Sequence, residues 1–441
     1  MAMKALEVYK LLPKTNCKEC GFPTCLAFAM KLAAGGAGPE RCPYLDEETK
    51  ALLGGATRPP VRAATVGVGA RSFTVGEEIV MFRHEKTFYH RPGIMVCADD
   101  TSPLEEVRRN AEEVRDLVVH RVGQDLTLDG IALRCESGDP DRFAAASMVV
   151  GECGDLPRLL ITADPGAHAA ALKVCGQFLP LIHAATAENH EEMAGLAKRY
   201  GCPLVVRAET PEELADLAAR CTAAGVRAIL LDPAPRTVGD FVARASHLRE
   251  HAVKRASPDL GYPLYLDTTT LGTDAALAAG ILRYAGVIAV PPLPRPSLLA
   301  ALTLRQNIYT DPQKPIQVTP GIYPVNNPGR DAPVLLSVNF SLTYFTLLGY
   351  LEAGKIPCYL FVVDTAGLSV LTAVAGGKLD EDLVKKSIES TGLAGTVDHR
   401  TLIIPGYAAP LSGRIEDATG WNVRVGPRDA AEIAEFLEKG E

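Results

Sequence analysis

Four cysteines near the start of the chain have the spacing of a metal-cluster site. The pattern is C-x2-C-x4-C-x16-C, formed by Cys17, Cys20, Cys25 and Cys42. Three thiolates so close in sequence can surround a cluster only if the backbone turns tightly, and Gly21 and Pro23 favour such a turn. Thiolate sulfur is the ligand of iron–sulfur clusters. The pattern therefore predicts an iron–sulfur cluster, and we expect a 4Fe-4S cluster.

A structural zinc ion is the alternative for the same thiolates, because four cysteines also form tetrahedral zinc sites. Zinc sites usually pair two close knuckles, whereas here a distant cysteine follows a group of three, so iron–sulfur is preferred. The run LAFAMKLAAG has helical spacing and places Cys25 at a helix start, where the dipole favours negative charge. A cluster without a substrate pocket, in a domain of residues 1–57, indicates electron transfer.

The composition excludes several classes of protein. A net charge of -8 argues against a nucleic-acid partner, because binding phosphates requires clustered Lys and Arg. The sequence has no signal-peptide pattern and no apolar stretch of about 18 residues, so we expect a cytoplasmic protein without a membrane span.

The other cysteines lie singly in apolar runs and are interpreted as buried hydrophobic residues: Cys97, Cys135, Cys153, Cys175, Cys202, Cys221 and Cys358.

Residues 58–315 repeat one theme, a short β-rich run followed by an amphipathic helix, after a predicted hairpin in VGVGARSFTVGEEIVMF. The predicted strands are 94–97, 130–135, 158–162, 179–184, 203–207, 228–232, 263–267 and 287–290. Eight such units in one domain favour a (β/α)8 TIM barrel, with a doubly wound sheet as the alternative.

Polar side chains end several of these strands, where barrels carry their active sites. They are Asp99, Asp164, His183, Arg207, Asp232 and Asp267. A folate-dependent methyltransferase site is one interpretation of this set. Capping of the following helices is the simpler one, because Asp commonly caps helices at strand-to-helix turns. We prefer a scaffold and assign no catalytic residue.

Residues 325–441 form a third domain with a second alternation of strands and helices. The predicted strands, 334–340, 358–364, 400–406 and 421–426, indicate a small open parallel sheet. Ligands of such sheets bind beyond the carboxyl ends of the strands, where the strand order reverses. The segments there, SVNFSLT, DTAGLSVLTA and IPGYAAP, are rich in small and hydroxyl residues and poor in charge. They favour a large, flat, neutral ligand.

At this point the sequence resembles a known family, the large (gamma) subunits of corrinoid iron–sulfur proteins of the acetyl-CoA decarbonylase/synthase complex. The matching stretches are LPKTNCKECGFPTCLAFAMKLA, MFRHEKTFYH, RQNIYTDPQKPI, NFSLTYF, DTAGLSVLTA, IIPG, EDATGW and VGPR. The resemblance implies an α/β chain with three parts: a small N-terminal iron–sulfur domain, a central TIM barrel and a C-terminal Rossmann-like open α/β corrinoid-binding domain.

The resemblance also implies a set of corrinoid (cobalamin) contacts in the third domain. They are Asn339, Thr343, Phe345, Thr346, Ser369, Val370, Leu371, Thr372, Ala373, Pro405 and Gly406. The chain has no D-x-H-x-x-G motif, whose histidine binds cobalt from below. We therefore expect a base-off corrinoid without a histidine ligand.

The family accepts a methyl group on Co(I) from methyltetrahydrofolate, through a methyltransferase, and transfers it to acetyl-CoA synthase/CO dehydrogenase in the reductive acetyl-CoA (Wood–Ljungdahl) pathway. The resemblance implies that the cluster reduces inactive Co(II), that a small subunit forms a heterodimer with this chain, and that a reductive activator or ferredoxin supplies electrons. The Pro/Gly-rich segment 311–329 is the predicted hinge. An alternative is an electron-transfer protein that reactivates another corrinoid protein.

Overall fold

Two compact units make up the chain. The structure is a computed structural model and describes residues 5–33, 37–57, 59–254, 259–272, 274–311 and 315–439. One unit comprises Met1–Val119 and Leu126–Tyr309, and the other comprises His120–Asp125 and Thr310–Glu441. No helix in these described ranges is long and apolar enough to cross a membrane.

The first unit begins with a small helical module and a β-hairpin. Its elements are α1 (Ala5–Leu11), α2 (Cys25–Ala33), α3 (Glu47–Thr57), β1 (Ala64–Val66) and β2 (Phe73–Val75). The helices bury an apolar cluster that includes Val8, Phe28 and Leu53. The antiparallel pairing of β1 with β2 confirms the predicted hairpin.

A closed barrel of eight parallel strands follows, with one further hairpin. The strands of both are β3 (Gly93–Asp99), β4 (Val118–Arg121), β5 (Gln124–Thr127), β6 (Gly130–Arg134), β7 (Arg158–Ile161), β8 (Leu181–Ala185), β9 (Leu204–Arg207), β10 (Ile229–Asp232), β11 (Leu264–Asp267) and β12 (Ala285–Val290). The helices are α4 (Leu104–Asp116), α5 (Pro140–Glu152), α6 (Pro165–Cys175), α7 (His190–Tyr200), α8 (Pro211–Ala223), α9 (Val238–Val253), α10 (Asp274–Leu282) and α11 (Arg295–Tyr309).

The closed strand order β10-β11-β12-β3-β6-β7-β8-β9 confirms the TIM barrel and shows that a doubly wound sheet is wrong. Its strands read as continuous apolar runs because both faces are buried. Side chains such as Met95, Leu159 and Val287 fill the interior. Alternate positions, including Ile94 and Leu160, pack outward against the helices. The hairpin of β4 and β5 forms a separate sheet that was not predicted.

The second unit contains a five-stranded sheet in the order β13-β15-β14-β16-β17. Its strands are β13 (Gly321–Val325), β14 (Val334–Val338), β15 (Cys358–Val363), β16 (Thr401–Ile404) and β17 (Asn422–Val425). Its helices are α12 (Ser341–Ala353), α13 (Val370–Ala375), α14 (Glu381–Thr391), α15 (Leu393–Thr396), α16 (Ser412–Thr419) and α17 (Ile433–Lys439). Trp421 is buried in the core of this unit.

Strand β13 corrects the sequence-based expectation of an all-parallel sheet and of a hinge across 311–329. It pairs antiparallel with β15 along five residues, and its Pro324 is tolerated because an edge strand can spare a backbone N–H. A further antiparallel bridge joins Gln317 to Phe340. The sheet therefore includes residues 321–325, which the hinge prediction placed in a linker. Residues 312–314 of the predicted hinge lie outside the described residues.

Candidate functional site

The predicted cluster cysteines lie on two segments of the helical module, with Cys17, Cys20 and Cys25 before or at the start of α2 and Cys42 after it. Cys25 is the first residue of α2, as the sequence predicts, and Gly21 has the left-handed φ of +84° that the tight turn needs. Cys42 follows a 3-10 turn and donates its N–H to the Pro39 carbonyl at 3.1 Å. Cys20, Cys25 and Cys42 all contact the apolar core of the helical module.

Asn16 is a residue of the segment before α2 that the sequence analysis missed. Its side-chain oxygen accepts a hydrogen bond from the Cys25 N–H at 2.7 Å. Its own backbone N–H points at the Cys25 sulfur at 3.4 Å. Asn16 has a positive φ of 50°, a conformation that asparagine tolerates better than most residues. Its position directly before the first cysteine, together with this tolerance, is the signal that could have identified it.

Tyr44, two residues after Cys42, is bound to Glu19, which lies between the first two cysteines. The Tyr44 hydroxyl donates a hydrogen bond to Glu19 at 2.7 Å, and this bond and the Glu19 charge raise the pKa of Tyr44. All four cysteines are free thiols.

The donor set fits an iron–sulfur cluster. The motif supplies four free cysteines, two buried and two half-buried, and the backbone N–H of Asn16 points at the sulfur of Cys25. Within the described ranges, no three His, Cys, Asp or Glu side chains are close enough to hold a metal ion. A cubane of iron and sulfur is wider than one ion and needs its four thiolates farther apart. Cys17, Cys20, Cys25 and Cys42 are therefore the residues that would hold it.

A crevice of about 340 Å³ lies at the carboxyl edge of the second unit's sheet. It opens between β14 and β16, where the strand order reverses, which is the place where open α/β sheets bind ligands. Its walls are mainly aliphatic, among them Leu335, Leu347 and Ile404. Arg428 and Asp429 are the charged residues of its lining. The volume lies in the usual range of small-molecule sites.

Six of the 11 predicted contacts line this crevice: Thr343, Thr346, Ser369, Val370, Leu371 and Pro405. Thr343 and Thr346 face it from the first turns of α12, one helical turn apart. Ser369 occupies the N-cap position of α13 without a side-chain capping bond, and its hydroxyl lies 3.0 Å from that of Thr372. The crevice is therefore bounded by the three loops that the sequence analysis singled out.

The other predicted contacts lie outside the crevice lining. Phe345 packs on the opposite side of α12 against Tyr344, with ring centroids 5.0 Å apart. Ala373 is fully buried in the core of the unit. Gly406 is required by close packing, because a Cβ there would approach the Gly426 carbonyl oxygen to 2.8 Å. The exposed Thr372 and the buried Asn339 complete this group.

Asn339 holds a turn instead of facing the crevice. It is 1% exposed, and its side-chain oxygen accepts hydrogen bonds from the N–H of Thr365 at 3.0 Å and of Gly367 at 3.0 Å. The Thr365 hydroxyl donates to the same oxygen at 3.1 Å. Its amide nitrogen donates to Asp364 at 2.9 Å. One buried side chain thus fixes the backbone of the turn that precedes α13.

Among the crevice residues that the sequence analysis did not assign are Ser337, Tyr407 and Arg428. Ser337 lies on β14, and its buried hydroxyl has no hydrogen-bond partner in the described chain. Tyr407 follows β16 and is 44% exposed at the rim, where the Arg428 guanidinium lies 5.6 Å from its ring centroid. An unpartnered buried hydroxyl costs free energy unless a ligand or water bonds to it. The crevice therefore fits a largely apolar ligand that carries some polar groups.

At the mouth of the barrel, the Asp residues are already engaged. Asp99 accepts hydrogen bonds from the N–H groups of Thr101 and Ser102, both at 3.0 Å. Asp164 caps α6 by accepting from Gly166 at 2.8 Å and from Ala167 at 3.1 Å. The capping interpretation therefore holds for Asp164, whereas Asp99 bonds to a turn before α4, whose N-cap is Pro103.

The remaining mouth residues form two ion-paired groups. Arg134 reaches across the mouth from β6 to Asp267 on β11, at 2.7 Å. Asp232 binds His183 at 2.9 Å and Arg207 at 2.7 Å. Burial alone would raise the pKa of Asp232, but the hydrogen bond from His183 and the charges of His183 and Arg207 outweigh it and lower the pKa. The carboxylates thus neutralise the barrel's own cations, as a scaffold requires.

Replacing Asp232 by asparagine is expected to destabilise the barrel by about 1–3 kcal/mol, because His183 and Arg207 lose their buried anion. Since the folded pKa of Asp232 is lowered, its contribution is complete above the ordinary carboxyl pKa of about 3.9 and is lost as the pH falls through the folded value. Urea unfolding of wild type and variant at several pH values measures this difference. Equal stabilities at neutral pH would contradict the assigned role.

Comparisons with known proteins bear on both sites. A family model described as the CO dehydrogenase/acetyl-CoA synthase delta subunit matches residues 63–437. A model described as a putative Fe-S cluster matches residues 12–44, which contain all four cysteines. Among solved structures, a phospho-2-dehydro-3-deoxyheptonate aldolase of Thermotoga maritima has a TM-score of 0.36 and 14% identity, covering 55% of this chain and 72% of that chain. This structural likeness is too weak to bear on function.

Curated relatives match the chain from end to end. It is 39% identical over 439 residues to the corrinoid/iron-sulfur protein large subunit of Moorella thermoacetica, with 99% of this chain and 98% of the relative covered. It is 40% identical over 454 residues to the acetyl-CoA decarbonylase/synthase complex subunit gamma of Methanopyrus kandleri, again with 99% and 98% covered. The chain therefore belongs to the family of corrinoid/iron–sulfur protein large subunits and acetyl-CoA decarbonylase/synthase gamma subunits.

Proposed function

We propose that this chain is the methyl carrier of an acetyl-CoA decarbonylase/synthase system. As a member of its family, it carries an iron–sulfur cluster and a corrinoid. We further propose that a methyltransferase delivers the methyl group of methyltetrahydrofolate to the corrinoid. Acetyl-CoA synthase would then receive the methyl group from the corrinoid. The observation that carries this proposal is the aliphatic crevice at the strand-order reversal of the second unit.

The crevice matches the chemistry of a corrinoid. A bound corrinoid supplies a cobalt atom that accepts and releases a methyl group, and the cluster supplies single electrons. A macrocycle is larger than the crevice, so part of it would lie on the rim, where Leu342 is 56% exposed and Leu371 is 58% exposed. We propose that the small subunit of the family covers this rim in a heterodimer, since exposed apolar side chains at a ligand site favour a partner surface.

The chain's own residues would hold the cofactor without coordinating cobalt through imidazole. No histidine is among the crevice-lining residues of the described chain, which supports a base-off corrinoid. The hydroxyl groups of Thr343, Thr346 and Ser369 would bond to polar substituents at the edge of the ring. The aliphatic wall would exclude water from its face.

The iron–sulfur cluster would reactivate the corrinoid after oxidation. Cys17, Cys20, Cys25 and Cys42 would hold a 4Fe-4S cluster that returns an electron to the corrinoid after accidental oxidation, with a reductive activator or ferredoxin as the electron source. The neutralised carboxylates of the barrel mouth support a scaffold role for the barrel.

Purified anaerobic protein tests the proposal by its visible spectrum and by its cobalt and iron contents. Corrinoid bands above a broad iron–sulfur shoulder are expected, with electron resonance of Co(II) that shows no nitrogen ligand. Iron without cobalt, in the presence of the small subunit, would contradict the methyl carrier and leave an electron-transfer protein that reactivates another corrinoid protein.

Replacing Leu371 by aspartate is expected to weaken corrinoid binding about tenfold or more, because a carboxylate at the apolar wall must lose water when the ring binds. Leu371 is exposed, so the fold should tolerate the change. Cobalt content after gel filtration measures the loss. The exposed Leu299 of α11 provides the control, because Leu299→Asp adds the same charge away from the crevice; an unchanged cobalt content in Leu371→Asp would contradict the assignment.

A further inference from the structure

The turn between β15 and α13 has a strained backbone, and hydrogen bonds from within the turn and from other segments hold its shape. Ala366 and Gly367 have left-handed φ values of 57° and 76°, a region that residues other than glycine rarely adopt. The turn leads into Ser369, Val370 and Leu371, which line the crevice. The shape of this crevice wall therefore depends on what holds the turn.

The Asn339 side chain bonds to several residues of this turn, and all of its hydrogen-bonding groups have partners. Its oxygen accepts three bonds from Thr365 and Gly367. Its nitrogen donates to Asp364 at 2.9 Å and to the side-chain oxygen of Gln317 at 3.3 Å. A buried amide with every partner in place specifies one backbone arrangement, because any other arrangement would leave buried polar groups unpaired.

Gln317, which lies before β13 in the chain, also contacts the turn. Its segment is fixed to the same strand end, with the Val318 N–H donating to the Asn339 carbonyl at 2.9 Å. Its side chain lies directly over Gly367, where an added Cβ would come within 2.8 Å of the Gln317 Cγ. Gln317 thus contacts both the amide that holds the turn and the turn itself.

We propose that Asn339 and Gln317 are positioning residues of the corrinoid crevice: through the turn 364–368 they fix the wall formed by Ser369, Val370 and Leu371. This inference rests on the proposed corrinoid-binding function. Neither residue lines the crevice, so both act through the turn. The chain segment just before β13 is therefore a functional part of the cofactor site.

The test compares variants of the full chain in cofactor uptake and in amide exchange. Asn339→Ala removes five hydrogen bonds, Gln317→Leu keeps the packing on Gly367 but loses the acceptor oxygen, and Gln317→Glu keeps that oxygen. Asn326→Ala is the matched control, because Asn326 donates to the carbonyls of Leu351 and Ile356 in the same unit but does not line the crevice. Gln317 is exposed, so its variants remain informative if Asn339→Ala does not fold.

Cofactor uptake is measured by titrating the cofactor-free chain, with its small subunit, with cobinamide and with cobalamin. The affinity is expected to fall about tenfold for Asn339→Ala and about threefold for Gln317→Leu. Gln317→Glu should recover the wild-type affinity. Asn326→Ala should lower the melting temperature and leave the affinity unchanged, which separates positioning from general destabilisation.

Hydrogen exchange on the cofactor-free chain gives the second readout. The amide protons of Thr365 and Gly367 should exchange faster in Gln317→Leu, although Gln317 does not accept from either of them, and at the wild-type rate in Asn326→Ala. Wild-type affinity and wild-type exchange in Gln317→Leu and Asn339→Ala would overturn the inference. A wild-type chain that takes up neither corrinoid would instead overturn the proposed function, and the positioning role with it, whatever the exchange rates are.

Discussion

Replacing Cys25 by serine is expected to abolish assembly of the iron–sulfur cluster while the corrinoid is retained. Cys25 is buried and is the first residue of α2. Asn16 accepts a hydrogen bond from its backbone N–H and donates one to its sulfur. A serine hydroxyl is a much poorer ligand of a cluster iron than the thiolate that it replaces. The crevice lies in the other compact unit, so its cobalt content should not change. Iron and sulfide analysis, with electron resonance of the reduced protein, measures the effect.

The control for this prediction is Cys135→Ser, which changes a half-exposed cysteine outside the motif and should keep the full iron content. The same pair of variants separates the two cofactors in turnover. Cys25→Ser should transfer methyl groups until the corrinoid is oxidised and then stay inactive, while Cys135→Ser is reactivated. Full iron content in Cys25→Ser, or zinc in wild-type protein, would contradict the cluster assignment.

Replacing Asp129 by alanine is expected to destabilise the barrel more than any surface substitution. Arg305 is 2% exposed and forms an ion pair with Asp129, which is 8% exposed. Asp129 also accepts the Ile94 N–H at 2.9 Å at the start of β3. Removing the carboxylate leaves a buried guanidinium and a buried N–H without their anion, at a cost of about 3–5 kcal/mol. Urea unfolding followed by far-ultraviolet circular dichroism measures it.

Two further variants define the cause of that loss. Asp116→Ala breaks an exposed ion pair with Arg115 and should leave the stability unchanged, because solvent screens such pairs. The double variant Asp129→Leu with Arg305→Met should recover much of the loss, because no unpaired charge then stays buried. If Asp129→Ala unfolds at the wild-type urea concentration, the buried pair does not stabilise the barrel.

The cluster module and the barrel could be predicted because their signals are local. The cysteine spacing and the helix propensity after Cys25 require no knowledge of distant residues, and α2 begins at that cysteine. Each barrel strand is a short apolar run between a turn and a helix, as in Arg158–Ile161, where every residue is buried. A sequence that repeats this unit eight times favours a closed barrel, and the closed strand order excludes the doubly wound alternative.

The edge of the C-terminal sheet could not be predicted in the same way. The density of Pro and Gly in TPGIYPVNNPG is typical of a linker, and only the pairing with β15 makes Gly321–Val325 a strand. Pairing with a strand some 35 positions later is a long-range event that local sequence does not record. The same is true of Gln317, which gains its role only by lying over Gly367.

By itself, the sequence was enough to predict four cysteine ligands, an order of domains and three loops at the carboxyl edge of the last sheet. Tertiary structure alone decided which side chains of those loops face the crevice. Thr343 and Phe345 are two positions apart on one helix, so they lie on different faces, and only Thr343 lines the crevice. Asn339 directly follows β14, yet its buried side chain points at a turn, because the N–H groups of Thr365 and Gly367 and the Thr365 hydroxyl donate to its oxygen there.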